Sequence, residues 1–157
     1  MTVKMISTNF RILIVDDDED IRATLKDAVK SWGFEVSDAK DGEQALLKIT
    51  SGHFDIVISD LMMPGLDGLT LLQKIKELDR EILVIIITGY ATIETAVKAI
   101  SAGAYDYIAK PFSLDELMVV IRNASERLWL ASRNKSLLEE LRGAHAEIAS
   151  LKDALVQ

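Results

Sequence analysis

Short apolar runs alternate along the chain with segments of helical spacing. Arg11–Val15 (RILIV) reads as a buried strand, dense in β-branched residues and Leu. From Glu19 the apolar positions are Ile21, Leu25, Ala28, Val29 and Trp32, which is one face of a helix, and Gly33 ends it. Phe34–Ser37 reads as a short second strand and Gly42–Ile49 as a second helix. Phe54–Ser59 (FDIVIS) is a third strand. Pro64-Gly65 and Asp67-Gly68 mark a loop, and Leu69, Leu72, Ile75 and Leu78 give a third helix. Ile82–Ile87 (ILVIII) is the most apolar strand, Ile93–Ile100 a fourth helix closed by Gly103, and Tyr105–Ala109 a fifth strand. Strands that alternate with helices and are apolar almost throughout predict an α/β fold with a parallel sheet covered on both faces. Short connections predict right-handed crossovers.

The C-terminal part has a different pattern. Ser113, with Glu116 three residues on, has the form of a capping box. Leu117, Ile121, Ala124 and Leu128 then make one amphipathic stripe. Leu137, Leu141, Ala144, Ile148, Leu151 and Leu155 step by four and three, which is a heptad seam. The two stripes are out of phase, so a stutter or break is expected between Leu128 and Leu137. The expected organisation is a lead-in over residues 1–9, disordered, a domain over 10–128, and a helical coiled-coil linker over 129–157. A single amphipathic helix folding back on the domain is the other reading of that last segment. Asn134 and His145 fall near the seam and weaken it, while Trp129 reads as packing near the junction.

Composition narrows the function. The chain is 49% hydrophobic and 27% charged, with a formal net charge of −7. That balance argues against direct grip on nucleic acid and against an anionic membrane surface. There is no Cys, which removes disulfides and thiolate metal sites and is compatible with a cytoplasmic location. No apolar run reaches the roughly 18–20 residues a bilayer span needs. His53 reads as a loop residue and His145 as a surface one. There is no GxxxxGK[ST] phosphate loop, no recognisable helix-turn-helix and no basic tract, and the chain stops in a helix, so it is expected to be part of a longer protein.

In parallel sheets ligands sit at the carboxyl ends of the strands. Here strand one ends in Asp16, Asp17 and Asp18, strand three in Asp60, strand four in Thr88, and strand five in Lys110 followed by Pro111. Crowded carboxylates repel one another, and a divalent cation relieves them; all-oxygen ligands suit Mg²⁺. Lys110 supplies a fixed positive charge on the opposite flank. Cations on both flanks are what a phosphoryl group in transit requires. Asp60 can then be the nucleophile that forms an acyl phosphate, with the Thr88 hydroxyl donating to a phosphate oxygen. Taken singly, Asp60 reads as well as a turn former and Lys110 as a solvated lysine. It is the combination at four strand ends that carries chemistry.

The segments ILIVDDDED, IVISDLMMPGLDGL, IIITGYA and AYDYIAKPF resemble the receiver domains of bacterial response regulators, over about Phe10 to Leu128. The resemblance implies a doubly wound, flavodoxin-like sheet of order 2-1-3-4-5. It implies that Asp16 and Asp17 hold Mg²⁺ with Asp60 as phosphoacceptor, and that Met62 adds a backbone carbonyl to the metal. It makes Thr88 the hydroxyl switch, Lys110 the phosphate-binding lysine and Tyr107 the aromatic switch. Asp18 falls outside the acidic pair and reads as a helix N-cap or a neighbour of the site. The implied partner is a sensor histidine kinase, and the implied output is a homodimer formed through the C-terminal helix, through the helix 4–strand 5–helix 5 face, or both. The motifs LMMPGLDGL, TGYATIETAVKAI and GAYDYIAKPF are similar to the receivers of sigma-54-dependent, NtrC-like transcription activators. Met62 and Tyr90 would flank the phosphate, and neither positions water well, so a long-lived phosphoaspartate is expected.

Three other readings compete. A haloacid-dehalogenase-type phosphatase also uses an Asp nucleophile and Mg²⁺, but needs a second carboxylate where Met62 stands, which argues against turnover. A pseudo-receiver that serves as a scaffold is disfavoured by the complete acid–Thr–Lys set. A stand-alone receiver whose coiled coil binds partners is the third.

Overall fold

The computed structural model describes residues 9–156. The expected lead-in lies outside the described residues apart from Asn9. The elements run β1 (Arg11–Val15), α1 (Glu19–Ser31), β2 (Glu35–Ala39), α2 (Gly42–Ser51), β3 (Ile56–Asp60), α3 (Gly68–Leu78), β4 (Leu83–Thr88), α4 (Ile93–Ser101), β5 (Asp106–Ala109) and α5 (Leu114–Val156). The strands form one five-stranded sheet, order β2-β1-β3-β4-β5, with every pair parallel. This is the flavodoxin-like doubly wound fold with a long C-terminal helix that the sequence predicts.

Alternation along the strands assigns the two faces. Leu13, Val15, Val57, Val84 and Ile86 pack with Leu71, Leu72 and Ile75 of α3, Ala45 of α2 and Ala99 of α4. The alternate residues Ile12, Ile14, Ile56, Ile58 and Ile85 are equally buried, as are Leu25 and Val29 of α1 and Leu117 and Ile121 of α5. Burial on both faces is why the strands read as unbroken apolar runs.

Each helix starts on a side chain that satisfies free N–H groups. Asp18 caps α1, accepting from the N–H of Asp20 and Ile21; Asp41 caps α2 and Asp67 caps α3. Thr92 and Thr95 form a reciprocal capping box on α4. At α5 the Ser113 hydroxyl accepts from Glu116 N at 3.1 Å. Gly33 follows α1 with φ of 94°, a conformation that suits glycine.

The strand boundaries differ from expectation in one direction. β2 starts at Glu35 and β3 at Ile56, because Phe34 and Phe54 are core plugs that precede the pairing. The break expected between Leu128 and Leu137 is absent: α5 is helical without interruption. Helix formation needs only backbone continuity and good propensity, and a shift in stripe phase does not break it. The described chain divides into two units, one ending at Ser125 and one from Glu126 onward.

Candidate functional site

The site gathers at the carboxyl edge of the sheet, between β1 and β3, where the strand order reverses. The register sets its parts level. Val15 pairs with Ser59 and Asp60 with Ile87, so β1 and β3 release Asp16 and Asp60 side by side. Thr88 pairs with Ala109, and the Lys110 N–H donates to Thr88 O at 2.8 Å. The Lys110–Pro111 peptide bond is cis.

Lys110 bridges the acids. Its Nζ lies 3.0 Å from Asp60 Oδ2 and 3.3 Å from Asp16 Oδ2. The other Asp60 oxygen accepts from Met62 N at 3.2 Å, and the other Asp16 oxygen from Asp18 N at 2.9 Å. Asp16 is nearly fully buried, and Asp17 is exposed. Burial pushes the Asp16 carboxyl above the ordinary carboxylate value; the Asp18 N–H and Lys110 act against the rise, and the charge of Asp60 adds to it. Burial also works against the charge on Lys110, but its bond to Asp60 and the charges of both acids outweigh that and hold its ammonium above the usual lysine value.

Carboxylate oxygens of Asp16, Asp17 and Asp60 lie within 4.8 Å of one another. That spacing and the all-oxygen donor set fit one hard divalent cation. The structure thus brings together Asp16, Asp17, Asp60 and Lys110, the residues predicted from three of the four strand ends, with Thr88 at the end of the neighbouring strand. Thr88 is fully buried and its hydroxyl accepts from Tyr90 N at 3.1 Å. The side chains of Met62 and Tyr90 are exposed, 53% and 67%.

Tyr107 is half-buried, and its hydroxyl meets Thr95 Oγ1 at 2.6 Å. Thr95 in turn donates to Tyr90 O at 3.2 Å. Tyr107 is therefore tied to the first turn of α4 and to the loop that follows Thr88. Sequence reasoning did not single out Thr95; its capping position, three after Thr92, was the available signal. Arg22 was missed as well. Its guanidinium donates to Asp16 O at 2.9 Å and to Asp38 Oδ2 at 2.8 Å, bracing the backbone of the acidic pair from α1.

Residues 12–122 match the family model of the response regulator receiver domain, and the chain belongs to that family. It is the receiver domain of a two-component response regulator. Receiver domains are phosphoacceptors that interact with sensor kinases. The chain is 42% identical over 126 residues to the C4-dicarboxylate transport transcriptional regulatory protein DctD of Rhizobium meliloti, covering 80% of this chain and 27% of that protein. It is 37% identical over 140 residues to the regulatory protein AtoC of Escherichia coli, covering 89% of this chain and 29% of that one. The crystal structure of NtrX from Brucella abortus superposes with a TM-score of 0.77 at 40% identity, over 82% of this chain and 29% of that chain. These relatives are NtrC-like, sigma-54-dependent activators, the subclass the sequence resembles. The chain spans little more than a quarter of their length.

Proposed function

We propose that this receiver takes a phosphoryl group from a sensor histidine kinase onto Asp60, and that the modification switches an output surface in the cytoplasm. The observation that carries the reading is the Lys110 ammonium 3.0 Å from Asp60 Oδ2 and 3.3 Å from Asp16 Oδ2, with the Asp17 carboxylate close by. The acceptor carboxylate is thus already in contact with a fixed cation, and its oxygen lies within 4.8 Å of those of Asp16 and Asp17, a donor set that suits Mg²⁺.

In the transfer, an Asp60 carboxylate oxygen attacks phosphorus as the bond from phosphorus to the kinase imidazole breaks; that nitrogen leaves with the bonding pair. Asp16, Asp17, Asp60 and the backbone carbonyl of Met62 would hold Mg²⁺, which when bound neutralises charge on the phosphoryl oxygens. Lys110 exchanges its contact with Asp60 for a phosphoryl oxygen. The buried Thr88 hydroxyl, now accepting from Tyr90 N, turns to donate to the phosphoryl group. Moving it disturbs the loop that carries Tyr90, and with it the Tyr107–Thr95 contact on α4. A phosphate shifts such an equilibrium only through contacts that differ between the two states, and these are the candidates.

On this reading the site is modified once per signal and is not a turnover enzyme. The output is a homodimer surface, through the C-terminal helix, the α4–β5–α5 face or both, and transcription is regulated by a part of the protein beyond this chain. Its test is incubation with Mg²⁺ and a small phosphodonor, followed by mass. Wild type should gain a base-labile phosphate that Asp60→Asn lacks. Equal labelling of the two, or no labelling of wild type, would sink it.

A further inference from the structure

The three acids of the donor set are held unevenly. Both oxygens of Asp60 and both of Asp16 already accept hydrogen bonds, from Met62 N, Asp18 N and Lys110 Nζ. Asp17 differs. Its side chain is exposed, and among the described residues its carboxylate has no hydrogen-bond or ion-pair partner. An exposed carboxylate samples several rotamers, and that freedom is lost when a cation binds. What keeps an Asp17 oxygen within 4.8 Å of those of Asp16 and Asp60 is therefore its backbone.

One residue of α1 clasps that backbone. Arg22 N donates to Asp18 O at 3.0 Å, and Arg22 Nη1 donates to Asp16 O at 2.9 Å. The carbonyls of both neighbours of Asp17 thus bond to the same residue. Asp16 O belongs to the peptide that joins Asp16 to Asp17, so holding it holds the plane from which the Asp17 side chain departs.

The clasp has its own anchor. Arg22 Nε donates to Asp38 Oδ2 at 2.8 Å and Lys26 Nζ to Asp38 Oδ1 at 3.0 Å, while Lys48 Nζ reaches the Asp38 carbonyl. The Arg22 side chain is 15% exposed, against 42% for Lys26. A guanidinium spans two acceptors in fixed directions, whereas a lysine ammonium is one point on a flexible stem. Of these three cations, Arg22 is the one also bonded to the acidic loop.

Charge and positioning predict opposite effects. A guanidinium near a divalent cation repels it, so on charge alone removing Arg22 tightens the metal. Removing a group that orients a ligand weakens it.

We infer that Arg22 is a positioning residue for the Mg²⁺ site: anchored on Asp38, it holds the Asp16–Asp17 peptide so that the Asp17 carboxylate meets the cation already directed. This rests on the reading of Asp16, Asp17 and Asp60 as the metal donors and deepens it.

Calorimetric titration of the full chain with Mg²⁺ tests it. Arg22→Met should raise the Mg²⁺ Kd about tenfold, the low end for groups that orient a metal ligand. Lys26→Met removes the same charge from the same acid but no bond to Asp16 O, and should leave the Kd within about twofold of wild type. Arg22→Lys keeps the charge but reaches one acceptor at a time, so it should still raise the Kd severalfold. It carries the same test should Arg22→Met lose its fold. Labelling by a small phosphodonor should need more Mg²⁺ in Arg22→Met, yet reach a maximal rate within about twofold of wild type. An Arg22→Met Kd at or below that of wild type, an equal rise in Lys26→Met, or wild-type affinity in Arg22→Lys would overturn the inference. Asp17→Asn, titrated alongside, separates that failure from failure of the metal site, because it should weaken Mg²⁺ at least as much as Arg22→Met. If it does not, or if wild type takes up no Mg²⁺, the donor set is wrong and the inference falls with it.

Discussion

Gly68 opens α3 directly against the backbone of the phosphoacceptor strand. Its N–H donates to Leu61 O at 2.9 Å, and a Cβ at that position would stand 2.7 Å from Leu61 Cα and collide with Asp60 O. No flexible side chain is there to yield. Gly68→Ala is therefore expected to push the Asp60–Leu61 backbone aside, costing about 1–3 kcal/mol of stability as overpacking does. It should also slow labelling by a small phosphodonor; urea unfolding and a labelling time course check both. Met62 shows the opposite kind of freedom. Its N–H holds Asp60 Oδ1 while its side chain is exposed. A thioether orients no attacking water, so the phosphoform should be long-lived, and Met62→Asn should speed its decay severalfold. Equal or slower decay in the variant would count against that role.

At the scale of elements, the strand ends were legible because a parallel sheet puts chemistry at one edge. Asp16, Asp60, Thr88 and Lys110 could be aligned before any coordinates. What could not be read is how the elements brace one another. Arg22 has an ordinary place on an amphipathic helix, and only the packing of α1 beside β2 brings it to Asp38 and to Asp16 O. Thr95 is likewise invisible as a partner of Tyr107 until α4 lies against β5. β2 was the least legible strand, because Glu35, Ser37 and Asp38 give an edge strand little apolar signal. The Asp38 brace makes a prediction. Burial works to raise its carboxyl, but the bonds from Lys26 and Arg22 outweigh that and hold it below the ordinary value. A depressed carboxylate contributes stability in full above its unfolded pKa and loses it as pH falls through the folded one. Asp38→Asn should therefore cost about 1 kcal/mol at pH 7, the upper end for partly exposed pairs. The gap from wild type should begin to narrow as pH falls below the ordinary Asp value of about 3.9, and close as it passes through the lower folded one. Thermal unfolding of both proteins across that range measures it.

For the molecule as a signalling part, two routes to Asp60 must be told apart. Its carboxylate is 11% exposed, enough for a small phosphodonor to reach without any docking surface. A protein donor must first bind. Beside Lys110 runs a groove of about 460 Å³ between α1 and the start of α5, lined by Ile21, Thr24, Leu25, Pro111, Phe112 and Leu114, with Asp20 as its acidic member. Its walls are largely apolar, and Lys110, which contacts Asp60, is one of the residues that line it, so on the proposed reading this groove is the candidate seat for the kinase. The chain's formal net charge of −7 supplies no general attraction for an acidic partner, which leaves shape and apolar contact to provide the affinity. Truncating an apolar anchor at the centre of such a contact costs about 2 kcal/mol, a factor of about 30. Ile21 fits that description: it is half-buried in the groove wall and does not touch Asp16, Asp60 or Lys110 by any hydrogen bond or ion pair described. Ile21→Ala should therefore slow transfer from a phosphorylated histidine kinase at least about tenfold. The rate with a small phosphodonor should stay within about twofold of wild type, since no docking is lost. If both rates fall together, the substitution has damaged the site itself; if neither falls, the kinase docks on another face.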